Sequence, residues 1–123
     1  MILIDTSVWI DHLRRGDTPL SRLLSDGRAL GHPAIVGEIA LGQLANRDEI
    51  LSLLANLPQV VTPTHAEVMT LIETRRLFGL GIGYVDAHLL AATMLTSSDT
   101  TLWTRDKRLR DAAHTLGRQA SLA

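Results

Sequence analysis

The sequence predicts an α/β fold, a three-layer α/β/α sandwich around a central parallel sheet. Short apolar runs alternate with longer segments whose apolar residues recur at helical spacing, a pattern that favours parallel strands covered by helices on both faces. The first run, Met1–Ile4, has no polar residue to place on a solvated face, as in a doubly covered strand. The chain has 123 residues, 46% of them hydrophobic, and we expect residues 1–123 to form a single domain.

The N-terminal third is predicted to alternate strand and helix. After the first strand, Thr6 or Ser7 is placed to cap a helix over Val8–Arg15, which Gly16 ends. Further along we expect a short helix with Leu20, Leu23 and Leu24, a minimal strand at Ala29–Leu30, and a helix from Pro33 that carries Ile35, Ile39 and Leu44.

Two capping boxes are predicted in the middle of the chain. Asn46 with Glu49 precedes one leucine-rich helix, and Thr64 with Glu67 opens another, with a strand at Val60–Thr62 between them. The remaining elements are a helix from Tyr84 to Leu95, a strand at Thr101–Thr104, a helix with Leu109, Ala112, Ala113 and Leu116, and an edge strand within Ala120–Leu122.

Composition excludes several classes of function. The chain has no cysteine, which excludes disulfides and thiolate zinc sites and agrees with a cytoplasmic location. We expect neither a membrane span nor a signal peptide, because the opening apolar run is short and lacks a basic start. None of the five histidines forms a zinc-type pair, and the glycines of "GLGIGYVDA" do not make a dinucleotide fingerprint.

Four acidic residues occupy positions that a solvated surface does not explain. Asp5 ends the first strand, Asp106 follows the strand "TLW", and Glu38 and Asp86 lie in the apolar contexts "AIVGEIALG" and "YVDAHLLAA". Ligand sites in open α/β sheets form at the carboxyl ends of the strands. Four carboxylates that meet there would raise each other's pKa unless a hard divalent cation bound them. Taken singly, each also has an ordinary explanation as a helix cap or ion-pair partner, and Asp11 is expected at the surface.

The order of these residues resembles that of the PIN-domain ribonucleases, in particular the VapC toxins of bacterial toxin–antitoxin pairs. That family has an apolar strand ending in Asp then Ser or Thr, a Glu on an early helix, an Asp opening a central helix, and a late strand followed by Thr-x-Asp. "MILIDTSVWIDHLR", Glu38, "GIGYVDAHLLAA" and "LWTRDKRL" supply these features in order.

The resemblance implies a PIN-like fold and an endoribonuclease dependent on Mg²⁺ or Mn²⁺. Asp5, Glu38, Asp86 and Asp106 would form the catalytic acidic site, in which all but Glu38 hold the metal, and Ser7 and Thr104 match assisting hydroxyl positions. The implied partners are a VapB-type antitoxin, an RNA substrate (tRNA, rRNA or mRNA) and a second copy in a homodimer, with no membrane. The leucine-rich helices around residues 20–24 and 50–57 are candidate surfaces for these protein partners.

Basic residues beside the last aspartate are candidate RNA contacts: Arg105, Lys107, Arg108 and Arg110. Two other classes of protein remain open. A haloacid dehalogenase-type phosphatase also begins with a strand ending in Asp, but it requires a second Asp where Ser7 stands. A non-catalytic PIN-like module for RNA or protein binding would use the same carboxylates only as caps and ion-pair partners.

Overall fold

Three short parallel strands form the centre of the fold in the computed structural model, which describes residues 1–122. The elements are β1 (Ile2–Ile4), α1 (Thr6–Arg15), α2 (Thr18–Ser25), β2 (Ala29–Leu30), α3 (Pro33–Ala40), α4 (Arg47–Ala55), α5 (His65–Thr74), α6 (Tyr84–Thr96), β3 (Thr101–Trp103) and α7 (Lys107–Thr115). The predicted α/β architecture is confirmed.

The first strand lies in the middle of the sheet, in the order β2-β1-β3. Leu3 pairs in register with Leu30 on one side and with Leu102 on the other. All residues of β1 are buried. Because successive side chains of a strand point to opposite faces, complete burial requires cover on both faces of the sheet.

Both outer edges of the sheet carry a single additional bridge in place of a predicted strand. Gly31 pairs with Gln59, and the predicted strand at 60–62 is wrong because pairing does not continue beyond that bridge. At the other edge Leu102 pairs with Gln119. The predicted edge strand at 120–122 is likewise wrong, since the pairing falls one residue earlier and does not extend.

The helix starts test the capping predictions directly. Thr64 and Glu67 form the predicted capping box of α5, with each side chain accepting from the other's backbone N–H. The box at Asn46 is wrong, because Asn46 adopts a φ of 54° and its side chain makes no capping hydrogen bond. The capping of α1 by Thr6 or Ser7 is also wrong, since both lie inside the helix and Asp5 occupies the N-cap position.

The third helix is shorter than its apolar pattern predicted. It ends at Ala40, so Leu44 lies beyond it and packs against the core from the following turn. Leu20, Leu23 and Leu54 are buried in the main core. Leu53 is 62% exposed and borders an apolar depression of about 330 Å³ formed by α1, α2 and α4. Within residues 1–122, no helix is long and apolar enough to cross a membrane.

Candidate active site

Asp5 lies where the carboxyl ends of β1 and β3 meet. Its backbone N–H donates to the carbonyl of Trp103 at 2.9 Å, which continues the sheet pairing by one residue. Asp5 occupies the N-cap position of α1, yet its side chain makes no capping hydrogen bond. The residue is only 7% exposed. A buried carboxylate that does not cap its own helix must be stabilised by other groups.

Two hydroxyl groups hold the Asp5 carboxylate. Ser7 Oγ donates to Asp5 Oδ2 at 2.7 Å, and Thr104 Oγ1 donates to the same oxygen at 2.8 Å. Each hydroxyl also accepts from the loop before α7, Ser7 from the N–H of Arg105 at 3.0 Å and Thr104 from that of Asp106 at 3.1 Å. Asp5 Oδ1 accepts no hydrogen bond from any residue in the range 1–122. The two hydroxyls therefore fix one carboxylate oxygen and leave the other for a ligand.

Asp106 begins α7 and serves as its cap. Its Oδ1 accepts from the N–H of Leu109 at 3.0 Å, so the ordinary explanation of this residue as a cap is correct. The residue is exposed. Capping engages only one oxygen of a carboxylate, and the other remains able to bind a cation or water.

Asp86 lies in the first turn of α6. Its Oδ2 accepts from the N–H of Gly83 at 3.3 Å. Burial raises the pKa of Asp86 above its ordinary value, while the hydrogen bond from Gly83 opposes this change. The negative charges of Asp5, Asp106 and Glu38 raise the pKa of Asp86 further. The other three predicted carboxylates thus lie within electrostatic range of Asp86.

Glu38 lies on α3 and faces the start of α1. Its Oε1 accepts from Thr6 Oγ1 at 2.8 Å, and Thr6 is the residue next to Asp5. The side chain is exposed. Glu38 therefore borders the site from a second helix and keeps access to water.

The donor set suits a hard divalent cation, since every predicted ligand is a carboxylate. Asp5 offers an oxygen that no residue in the range 1–122 engages, and Asp86 and Asp106 each engage one oxygen with a backbone N–H. No group of three or more Asp, Glu or His side chains in the described part of the chain is arranged to hold a metal ion. One or two of these carboxylates would hold a hard divalent cation, with water completing its coordination. Direct ligation by all of Asp5, Asp86 and Asp106 stays a prediction.

Arg105, a predicted RNA contact, forms ion pairs within the fold. Its guanidinium forms ion pairs with Asp11 and Asp17 and lies 5.7 Å from the centre of the Trp103 ring. These hydrogen bonds lower the pKa of Asp11 and raise that of Arg105. These ion pairs compete with phosphate for the guanidinium, and the assignment of Arg105 as an RNA contact stays a prediction. Asp11, expected at the surface, is a half-buried partner of this arginine.

The other three basic residues remain available at the start of α7. Lys107 is exposed and pairs with Asp111 at 3.2 Å, an exposed ion pair that is readily exchanged. Arg108 is exposed and Arg110 half-buried, and neither forms an ion pair with a residue of the described part. The guanidinium of Arg108 lies over Gly81, where an added Cβ would meet Arg108 Nη1 at 2.7 Å.

Two histidines that no sequence pattern brought together, His32 and His88, are in contact. His32 caps α3 by accepting from the N–H of Ala34 at 2.9 Å through Nδ1. The other ring nitrogen, Nε2, therefore carries the proton and donates to His88 Nδ1 at 2.8 Å. Burial, and secondarily His88, lowers the pKa of His32 to about 4. This hydrogen bond joins α3, which carries Glu38, to α6, which carries Asp86.

The α/β topology of the sheet agrees with a comparison to known families. Residues 2–115 match the PIN domain, and the chain belongs to the PIN-domain family, in its VapC type. The predicted resemblance is confirmed, and the haloacid dehalogenase-type alternative is wrong. The chain is similar to "Ribonuclease VapC32" from Mycobacterium tuberculosis, in strains CDC 1551 / Oshkosh and ATCC 25618 / H37Rv. Each is 53% identical over 112 residues, which cover 91% of this chain and 90% of the relative.

Proposed function

We propose that residues 1–123 act as a single-domain, metal-dependent endoribonuclease in the cytoplasm, the toxin of a type II toxin–antitoxin pair. One observation carries this proposal. The buried Asp5 carboxylate does not cap the helix that it precedes; two hydroxyls hold one of its oxygens, and the other accepts no hydrogen bond from residues 1–122. A purely structural aspartate at this position would cap α1. The similarity to ribonucleases of the VapC type supports the same activity.

The proposed reaction is hydrolysis of an RNA phosphodiester bond, leaving a 5′-phosphate and a 3′-hydroxyl. Asp5, Asp86 and Asp106 would hold Mg²⁺ or Mn²⁺, directly or through water. When bound, such an ion supplies an activated water and neutralises charge on the phosphate. Glu38 accepts a hydrogen bond already and remains exposed, so it is suited to orient the attacking water and accept its proton.

Ser7 and Thr104 act by position in this scheme. Their hydroxyls orient the Asp5 carboxylate, and through the N–H groups of Arg105 and Asp106 they fix the loop that delivers Asp106. Preorganisation of this kind avoids a cost in free energy when substrate binds. Neither hydroxyl needs to act as a nucleophile.

The test of this proposal is RNA cleavage by the purified chain with Mg²⁺, with Mn²⁺ and with EDTA. We expect cleavage only with a divalent ion and expect Asp5→Asn to abolish it. Asp99→Asn is the matched control, because Asp99 is exposed in the turn at the opposite end of β3. If wild type and Asp5→Asn are equally inert while both fold and bind RNA alike, the chain is the non-catalytic module instead.

The proposed protein partners are a VapB-type antitoxin and a second copy of the chain. The apolar depression between α1, α2 and α4, with Leu53 exposed at its border, supports an apolar protein contact there. An Arg or Lys of the antitoxin would complement the four carboxylates. Gel filtration of the chain alone and with its antitoxin measures both states, and a monomeric mass for the chain alone would exclude the homodimer.

A further inference from the structure

Exposed aromatic surface is concentrated in one short segment beside the proposed active site. The chain has two Trp, one Phe and one Tyr, and both tryptophans are buried. Phe78 is 56% exposed and Tyr84 is 47% exposed. Both lie between the end of α5 and the first turn of α6, directly before Asp86. The two exposed aromatic side chains therefore both belong to the segment of chain that leads into Asp86, a predicted catalytic residue.

The two aromatic rings line the same depression. It has a volume of about 250 Å³, and its other walls include Gly79, Ile82 and Ala87. Gly79 adopts a φ of 74°, and an added Cβ there would meet no atom within 4 Å, so the glycine serves the turn and keeps the depression open. The walls are apolar and the volume is small, which suits one planar ring system better than an extended peptide.

The depression is connected to the proposed active site by two contacts. Gly83 lines the depression and donates its N–H to Asp86 Oδ2 at 3.3 Å. The second contact runs through the loop itself, because the Arg108 guanidinium lies over Gly81, which stands in the chain between the lining residues Gly79 and Ile82. A ligand in the depression would therefore have near its border both Asp86 and an arginine that forms no ion pair within residues 1–122.

The tyrosine ring is held in place before any ligand binds. Tyr84 OH lies 2.8 Å from His65 Nδ1, and the Tyr84 ring packs edge-on against the ring of His88 with 6.2 Å between centroids. A ring fixed in this way loses little conformational entropy when another ring stacks on it. The exposed face of Tyr84 is therefore a preformed surface for stacking.

We propose that this depression binds one unpaired nucleobase of the substrate RNA, stacked against Phe78 and Tyr84, while Arg108 contacts an adjoining phosphate. The inference rests on the proposed ribonuclease function and assigns a base-binding subsite for its RNA substrate to Phe78 and Tyr84. A base in a duplex is not accessible to such a surface, whereas unstacked bases are recognised by aromatic side chains and arginine. The nearby arginine favours an anionic partner over an apolar peptide, and the two aromatic rings favour a nucleobase over an acidic peptide.

Binding is best measured in the full-length Asp5→Asn protein, where cleavage does not remove the probe. The probes are a labelled single-stranded RNA and the same strand paired into a duplex. We expect Phe78→Leu and Tyr84→Ala each to weaken single-strand binding by roughly five- to hundredfold, the usual effect of losing one stacking contact. Duplex binding should change by less than about twofold.

Conservative variants separate stacking from folding. Phe78→Tyr and Tyr84→Phe keep the rings, so we expect single-strand affinity within about twofold of the parent. Met69→Ala on α5 is the control for loss of exposed apolar surface, since Met69 is 41% exposed and does not line the depression. Equal losses for single-stranded and duplex RNA, or no loss in Phe78→Leu, would overturn the proposal.

The failure of this inference and that of the proposed function give different results. If the wild type shows no divalent-dependent cleavage, the ribonuclease function fails whatever the binding data show. If the wild type cleaves while Phe78→Leu retains full single-strand affinity, the function stands and the base site fails. Retained RNA affinity in Phe78→Leu together with a reduced mass on gel filtration would assign the surface to a protein contact and overturn the base site.

Discussion

Acidification should destabilise the protein through His32, and the size of the effect follows from its surroundings. The pKa of His32 falls from an ordinary 6.5 to about 4, because burial and then His88 disfavour its charged form. In the unfolded chain the ring regains its ordinary pKa. As the pH falls below about 6.5, His32 becomes protonated in the unfolded state but stays neutral in the folded state. The stability present above pH 6.5 is therefore lost progressively until the pH reaches about 4.

The expected loss is roughly 3 kcal/mol, since each pKa unit corresponds to about 1.36 kcal/mol. For a chain of this length that amounts to a fall in Tm of about 10 °C. His32→Asn should remove this dependence. Asparagine accepts the capping hydrogen bond from Ala34 and does not titrate. At pH 7 the variant should be less stable than wild type, because the substitution removes the contact with His88. This difference in stability between the two proteins should narrow towards pH 4.

Thermal unfolding at a series of pH values, with constant ionic strength, tests this expectation. His114→Asn is the control, because His114 is an exposed histidine on α7. We expect the control to follow the wild-type pH profile. If the Tm profile of His32→Asn runs parallel to that of wild type between pH 7 and pH 4, then His32 is not the source of the acid sensitivity, and the neutral hydrogen bond between the two histidines is refuted.

Three further predictions concern the carboxylate site and its rim. Asp86→Asn retains the backbone hydrogen bond but removes a carboxyl group whose pKa is raised by burial. In EDTA at pH 7 we expect its free energy of unfolding to exceed that of wild type by about 0.5–2 kcal/mol, a difference that disappears below pH 3.8. Added Mg²⁺ should raise the Tm of Asp86→Asn by less than it raises the Tm of Asp99→Asn. Thr104→Val should cost about 1.5–3 kcal/mol in chemical unfolding and slow cleavage without changing RNA affinity. Arg108→Ala should reduce the salt slope of single-stranded RNA binding by about 0.7, whereas Arg105→Ala should lower stability and leave the slope unchanged.

The parts of the fold that could be predicted are those that local sequence determines. The apolar run at 2–4 can be satisfied only by a doubly covered strand, and Thr64 with Glu67 supplies both halves of a capping box within four residues. Asn46 with Glu49 has a similar sequence pattern, but Asn46 itself adopts a φ of 54° at the start of that helix. A capping side chain needs an extended backbone at its own residue, and nothing local distinguishes the two cases.

Arg105 shows why the rim of the site could not be predicted. In sequence it is one of several basic residues next to Asp106, and its neighbours do contact solvent. Its actual partners, Asp11 and Asp17, precede it by 94 and 88 residues and come from α1 and from the cap of α2. Such an ion pair depends on the packing of distant elements, so charge clustering along the chain gives no information about it. The same holds for the contact between His32 and His88.

The candidate site is predicted from the order of its acidic residues along the chain, and the structure adds that Asp5 departs from the local capping rule. An aspartate before a helix should cap it, and Asp17 and Asp106 both do so. Asp5 has the same position and an extended backbone but forgoes the contact, although capping is typically worth about 1 kcal/mol. Ser7 and Thr104 hold its carboxylate instead, and the charge of Asp5 contributes to the raised pKa of Asp86. Asp5 thus exchanges a capping contact for two hydroxyl contacts that leave its second oxygen without a hydrogen bond from residues 1–122, and such departures from a local rule are typical of functional sites.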